Sequence, residues 1–101
     1  MRLDIHLSKD KLQAEFGDRL TSSDLGEFRD LLAQIRQCGR KSVVLDLSNL
    51  NWIDSAGLGM LILAKETADK AELDLVLRSP RGHVRSLLEL GRFDKLFTIE
   101  A

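Results

Sequence analysis

The segment from Val43 to Glu66, VVLDLSNLNWIDSAGLGMLILAKE, constrains the fold more than any other part of the chain. Its opening residues, Val43-Val44-Leu45-Asp46-Leu47, predict a short buried strand. Ser48-Asn49 predicts a polar turn. Asp54-Ser55 then opens a run of small and apolar residues with the length of a helix. Ser55 therefore stands where a strand hands over to a helix, as an N-cap or a first-turn residue. Gly57 and Gly59 follow closely, and each glycine in the opening turns costs a helix roughly 1 kcal/mol relative to alanine. That cost predicts a need for close access to the backbone at this point.

The flanking sequence supplies the rest of an α/β domain. Leu3, Ile5 and Leu7 alternate with Asp4, His6 and Ser8, and Leu12, Ala14 and Phe16 alternate with Gln13 and Glu15. Both patterns have the period of a half-buried strand, and Ser8-Lys9-Asp10-Lys11 between them predicts a hairpin turn. Gly17-Asp18 is expected to end the second strand. Ser22 or Ser23 is placed to cap a helix with Leu25, Phe28, Leu32 and Ile35 on one face and Gly39 at its stop. Leu73, Leu75 and Leu77 predict another strand. Ser79-Pro80 reads as a cap and first-turn proline for a helix carrying Val84, Leu87 and Leu88, stopped by Gly91. Phe93, Leu96, Phe97 and Ile99 predict a short helical turn and a closing strand.

This order implies a mixed sheet with parallel crossovers. Polar residues at alternate strand positions argue against a sheet covered on both faces. The helices are expected mainly on one face, as right-handed crossovers stepping in one direction would place them.

At 101 residues and net charge −1 the chain has room for one domain and lacks the basic footprint of a nucleic-acid binder. The longest apolar run, Leu58 to Ala64, is too short for a bilayer, so no direct membrane insertion is expected. The first residues lack a signal-peptide core, and the single Cys38 fits a reducing compartment, so the expected location is cytoplasmic. His6 and His83 are isolated, and neither a phosphate-binding G-x-x-x-x-G-K-[ST] loop nor metal-ligand spacing is present. No enzymatic activity, metal or cofactor is expected. Asp46 invites comparison with a phospho-accepting receiver domain, but the acid cluster that would hold magnesium near the first strand's end is missing. Asp46 is more simply a residue of the open sheet face. Arg78, Arg81, His83 and Arg85 form a local basic stretch, read either as a solvated helix surface or as a contact for an acidic partner.

Asp54-Ser55-Ala56-Gly57-Leu58-Gly59, in its strand-to-helix setting, resembles the phosphorylation loop of the bacterial STAS-domain anti-sigma factor antagonists. The resemblance extends over nearly the whole chain and implies a single STAS domain across residues 1–101, with an N-terminal hairpin and helices mainly on one face of a mixed sheet. It implies a phosphorylation-switched binding module that captures an anti-sigma factor or GHKL-type serine kinase while Ser55 is unphosphorylated and releases it once Ser55 is phosphorylated. A PP2C-type serine phosphatase would restore the hydroxyl. The implied partner-contact residues are Asp54, Ser55, Ala56, Gly57, Leu58 and Gly59, with Trp52 and Met60 beside them.

Plainer roles stand next to these: Asp54 as a helix cap, Leu58 as core, Trp52 as a buried ring. The alternative function is a STAS subunit that docks constitutively on a transporter or signalling enzyme, with Ser55 only a helix cap. In one place the chain departs from the family. Gly17-Asp18-Arg19-Leu20-Thr21 lacks the acid that often follows the second strand, leaving Asp18 or Asp24 as substitutes.

Overall fold

The computed structural model describes residues 1–101. Strand β1 (Arg2–Leu7) and strand β2 (Lys11–Leu20) form the expected hairpin, its turn closed by the Ser8 N–H donating to Lys11 O at 2.9 Å. Helix α1 (Leu25–Gln37), strand β3 (Ser42–Ile53), helix α2 (Ser55–Lys70), strand β4 (Asp74–Arg78), helix α3 (Gly82–Leu90) and strand β5 (Thr98–Glu100) follow. Short 3₁₀ turns at Ser22–Asp24 and Phe93–Lys95 precede α1 and β5. The five strands lie in sequence order, β1-β2-β3-β4-β5, with β1 antiparallel to β2 and every later pair parallel.

Register explains why one face is covered and the other is not. Ala14, Leu45, Leu77 and Ile99 stand side by side across four strands, as do Leu12, Val43 and Leu75. With Phe28, Leu31, Ile35, Leu61, Ala64 and Val84 from the helices they belong to one apolar cluster. Phe16 of β2 stacks on Phe28 of α1 with ring centroids 6.0 Å apart. One residue out of phase, the row Asp4, Glu15, Asp46, Arg78 and Glu100 lies on the opposite face. There Arg78 Nε donates to Glu100 Oε1 at 3.1 Å, and its Nη1 donates to Gln13 Oε1 at 3.3 Å. Strand alternation and the one-sided placement of the helices thus have a single cause. No helix is long and apolar enough to cross a membrane.

Four local expectations need correction. Strand β2 does not stop at Gly17-Asp18. It continues to Leu20 through register irregularities on either side of Gly17 and Asp18, with Asp18 at φ +72°. A bulge absorbs the turn-forming residues, and fully buried Leu20 holds the strand beyond them. Ser48-Asn49 is likewise not a turn, because β3 runs on to Ile53 alongside β2, anchored by buried Leu50 and Ile53. Neither Ser22 nor Ser23 caps α1; the entry is organised by Asp24, whose Oδ2 accepts from the Thr21 N–H at 2.8 Å. Helix α3 starts at Gly82, later than Ser79-Pro80 suggests. Ser79 is left-handed (φ +54°) and its N–H donates to Glu100 O at 2.7 Å, so the chain is still attached to β5 there.

Candidate functional site

The end of β3 and the start of α2 build the site. Asp54 is extended (φ −105°, ψ −177°) and is the N-cap, its Oδ1 accepting from the Gly57 N–H at 2.7 Å. Ser55 is therefore not the cap. It is the first helical residue, exposed to solvent, and its hydroxyl makes no hydrogen bond within the protein. One of the free N–H groups of the helix start is satisfied by Asp54, and Ser55 is left without a structural duty.

The two glycines behind it have different reasons to be there. A Cβ at Gly57 would collide with Leu20 O and lie 2.6 Å from Ile53 Cγ1. Gly57 is buried and lets α2 start hard against the ends of β2 and β3, so the expectation that it contacts a partner is corrected to a packing role. Gly59 faces open space. Ser55, Gly59 and Leu63 follow one another at helical spacing, and Leu63 is 42 % exposed. They form a low stripe on the outer side of α2. Ala56 and Leu58 are half-buried against the core cluster. Met60 is only 2 % exposed, so its expected place at the contact surface is also corrected: it points into the core.

Trp52 has the opposite fate to that of most tryptophans. It is 52 % exposed and stacks on His83, with ring centroids 4.2 Å apart and planes within 8°. His83 Nε2 lies 3.4 Å from Ile53 O. The pair brings α3 against the strand that leads into Ser55, and it is invisible in sequence because its members lie 31 positions apart. No periodicity links them. Of the two acids considered as substitutes beyond β2, Asp24 is only 6 % exposed and is committed internally, to Thr21 and to the Met1 ammonium at 2.9 Å. Burial by itself would raise its carboxyl, but the Thr21 N–H and the ammonium outweigh that and hold it below the usual value. Asp18 is exposed and free. Asp46 lies on the open sheet face, accepting from the Ser48 N–H at 2.9 Å. No three His, Cys, Asp or Glu side chains are grouped to hold a metal ion.

Comparison with known proteins agrees with this architecture. The family model described as "Mlab, STAS domain" matches residues 3–99. A Bordetella bronchiseptica protein named as a candidate anti-sigma factor antagonist, BtrV, is 36 % identical over 70 residues, covering 69 % of this chain and 60 % of its own length. The chain thus spans about three fifths of that relative. A STAS-domain containing protein of Pseudomonas aeruginosa is 37 % identical over 75 residues, 72 % of this chain and 71 % of that one. Among solved structures, a candidate anti-sigma factor antagonist from Thermotoga maritima superimposes with a TM-score of 0.88 at 20 % identity, covering 98 % of this chain and 86 % of the other. The Bacillus cell fate determinant SpoIIAA in its phosphorylated form gives 0.76 at 12 % identity, covering 99 % and 92 %. Those two likenesses concern the fold. With the family match running from β1 to β5, the chain belongs to the STAS-domain family, whose architecture is shared by bacterial anti-sigma factor antagonists.

Proposed function

We propose that this protein is a phosphorylation-switched binding module and not a catalyst. Unphosphorylated Ser55 lets it capture an anti-sigma factor of the GHKL serine-kinase type, phosphorylation by that kinase releases it, and a PP2C-type phosphatase resets it. The observation that carries the proposal is the state of Ser55: exposed, at the first turn of α2, with no hydrogen bond, while Asp54 does the capping. A kinase has access to such a hydroxyl, and modifying it breaks nothing in the fold. Support also comes from a protein of the same architecture solved in a phosphorylated form.

The energetics favour control of binding over control of folding. A phosphate on the first turn gains about 0.3–1 kcal/mol from the helix dipole, opposed by the neighbouring Asp54 carboxylate. At a docked surface the same group brings about 1.5–2 negative charges into a contact shaped for a neutral hydroxyl. A penalty of about 3 kcal/mol, modest for an unpaired buried charge, lowers affinity roughly a hundredfold. The stripe Ser55-Gly59-Leu63, with Trp52 beside the entry to the helix, is the surface we assign to the partner.

Phosphate-affinity electrophoresis of protein from cells tests the modification, with Ser55→Ala as control: a retarded band that the variant lacks is expected. Binding to the cognate kinase should fall about a hundredfold for Ser55→Asp and hold for Ser55→Ala. Equal binding by wild type and both variants would point to constitutive docking on another protein and end the switch proposal.

A further inference from the structure

Where the late residues of β2 and β3 meet the entry to α3 lies a polar cleft of about 600 Å³, lined chiefly by Arg2, Asp18, Asn49, Asn51, Arg81 and His83. Its volume is in the range of small-molecule sites. Four chain segments meet there: the start of β1, the bulged ends of β2 and β3, and the entry to α3. Neither Arg2 nor Arg81 is in an ion pair, although the molecule's other charges supply several. Two guanidinium groups there face one carboxylate, Asp18, in a protein whose overall charge is −1. Asn49, Asn51 and Asp18 likewise have no hydrogen-bond partner for their side chains.

Close neighbours shape both walls. Arg2 stands opposite Gly17 in the β1–β2 ladder, and its guanidinium occupies the space a Cβ at Gly17 would need, 2.7–2.9 Å away. Gly17 therefore admits Arg2. At the other wall, stacking on Trp52 fixes the ring of His83, two residues from Arg81.

Arginine's planar fork matches phosphate oxygens, and two free forks in one concavity match a phosphoryl dianion. The Asp18 carboxylate opposes an anion, and together with the asparagine amides, which both donate and accept, it suits hydroxyl groups. We propose that this cleft binds a phosphorylated, hydroxyl-bearing small molecule, with the phosphoryl group on Arg2 and Arg81 and the hydroxyls on Asn49, Asn51 and Asp18. Ser55 itself does not line the cleft.

Glucose 6-phosphate serves as the probe, followed by amide shifts in ¹⁵N-labelled protein at low ionic strength, with inorganic phosphate and glucose for comparison. Saturable shifts are expected at residues 49–51 and 81–83, at lower concentration for glucose 6-phosphate than for phosphate, and absent for glucose. Arg81→Ala and Arg81→Lys should each weaken binding roughly tenfold without moving the melting temperature, since Arg81 is exposed. Asp18→Asn should tighten inorganic phosphate by removing a like charge. Shifts that fail to saturate, an Arg81→Ala protein that binds as wild type does, or equal affinity for phosphate and glucose 6-phosphate would overturn the assignment. So would sedimentation with phosphatidylglycerol vesicles without any response to the soluble probe, which would give the cleft to a lipid surface.

Discussion

Asp54 caps α2, and Ser55 beside it is left exposed with its hydroxyl unbonded. The carboxylate of Asp54 closes the first turn of α2, so Asp54→Ala should lower stability by about 0.5–2 kcal/mol in urea unfolding. Ser55→Ala should stay within about 0.5 kcal/mol of wild type, as an exposed position with no bonded hydroxyl does. A larger loss for Ser55→Ala than for Asp54→Ala would return the capping role to Ser55. The glycines separate in the same way. Gly57→Ala forces a methyl against Leu20 O and Ile53 and should cost about 1–3 kcal/mol. Gly59→Ala meets open space and should raise stability by about 0.4–1 kcal/mol. If Gly59 belongs to the partner surface, that more stable variant should bind the kinase less well. The serine and the paired glycines were legible in sequence. The difference between the glycines was not, because it depends on how closely β2 passes α2.

At the level of elements, the entry to α1 shows what a buried carboxylate does for a small fold. Folding lowers the Asp24 carboxyl from its ordinary value near 3.8, so the unfolded chain takes up the proton first as pH falls. The stabilisation is complete well above pH 3.8 and is lost as pH drops through that value towards the folded one. Asp24→Asn should flatten this acid limb in thermal melts between pH 7 and 3, with the two proteins converging at the acid end. A wild-type melting temperature indifferent to acid over that range would count against the ion pair with Met1. Strand and helix identity were plain from alternation and helical spacing, yet three ends shifted. Gly17-Asp18 and Ser48-Asn49 carry the residue types of turns, but paired backbone and buried Leu20, Leu50 and Ile53 extend both strands through them. Ser79 has the side chain of a cap, but its N–H is taken by β5. Local propensity yields wherever a neighbouring strand supplies partners.

For the whole molecule, one apolar cluster joins every layer, so unfolding should be a single transition. Leu45, fully buried in the central strand, tests this: Leu45→Ala should cost about 2–5 kcal/mol, a large part of the about 5–15 kcal/mol typical of a domain. A small shift confined to one spectroscopic probe would instead indicate separable parts. By itself the sequence determined the α/β class, the hairpin, the single covered sheet face and the exposed serine's place at a strand-to-helix junction. Each of these follows from spacing along the chain, which fixes which way neighbouring side chains point. Only the tertiary structure decided that Met60 turns inward, that Trp52 stays on the surface against His83, and that Arg2 shares a cleft with Arg81. Those outcomes depend on residues far apart in the chain meeting in space, and no local period carries that information.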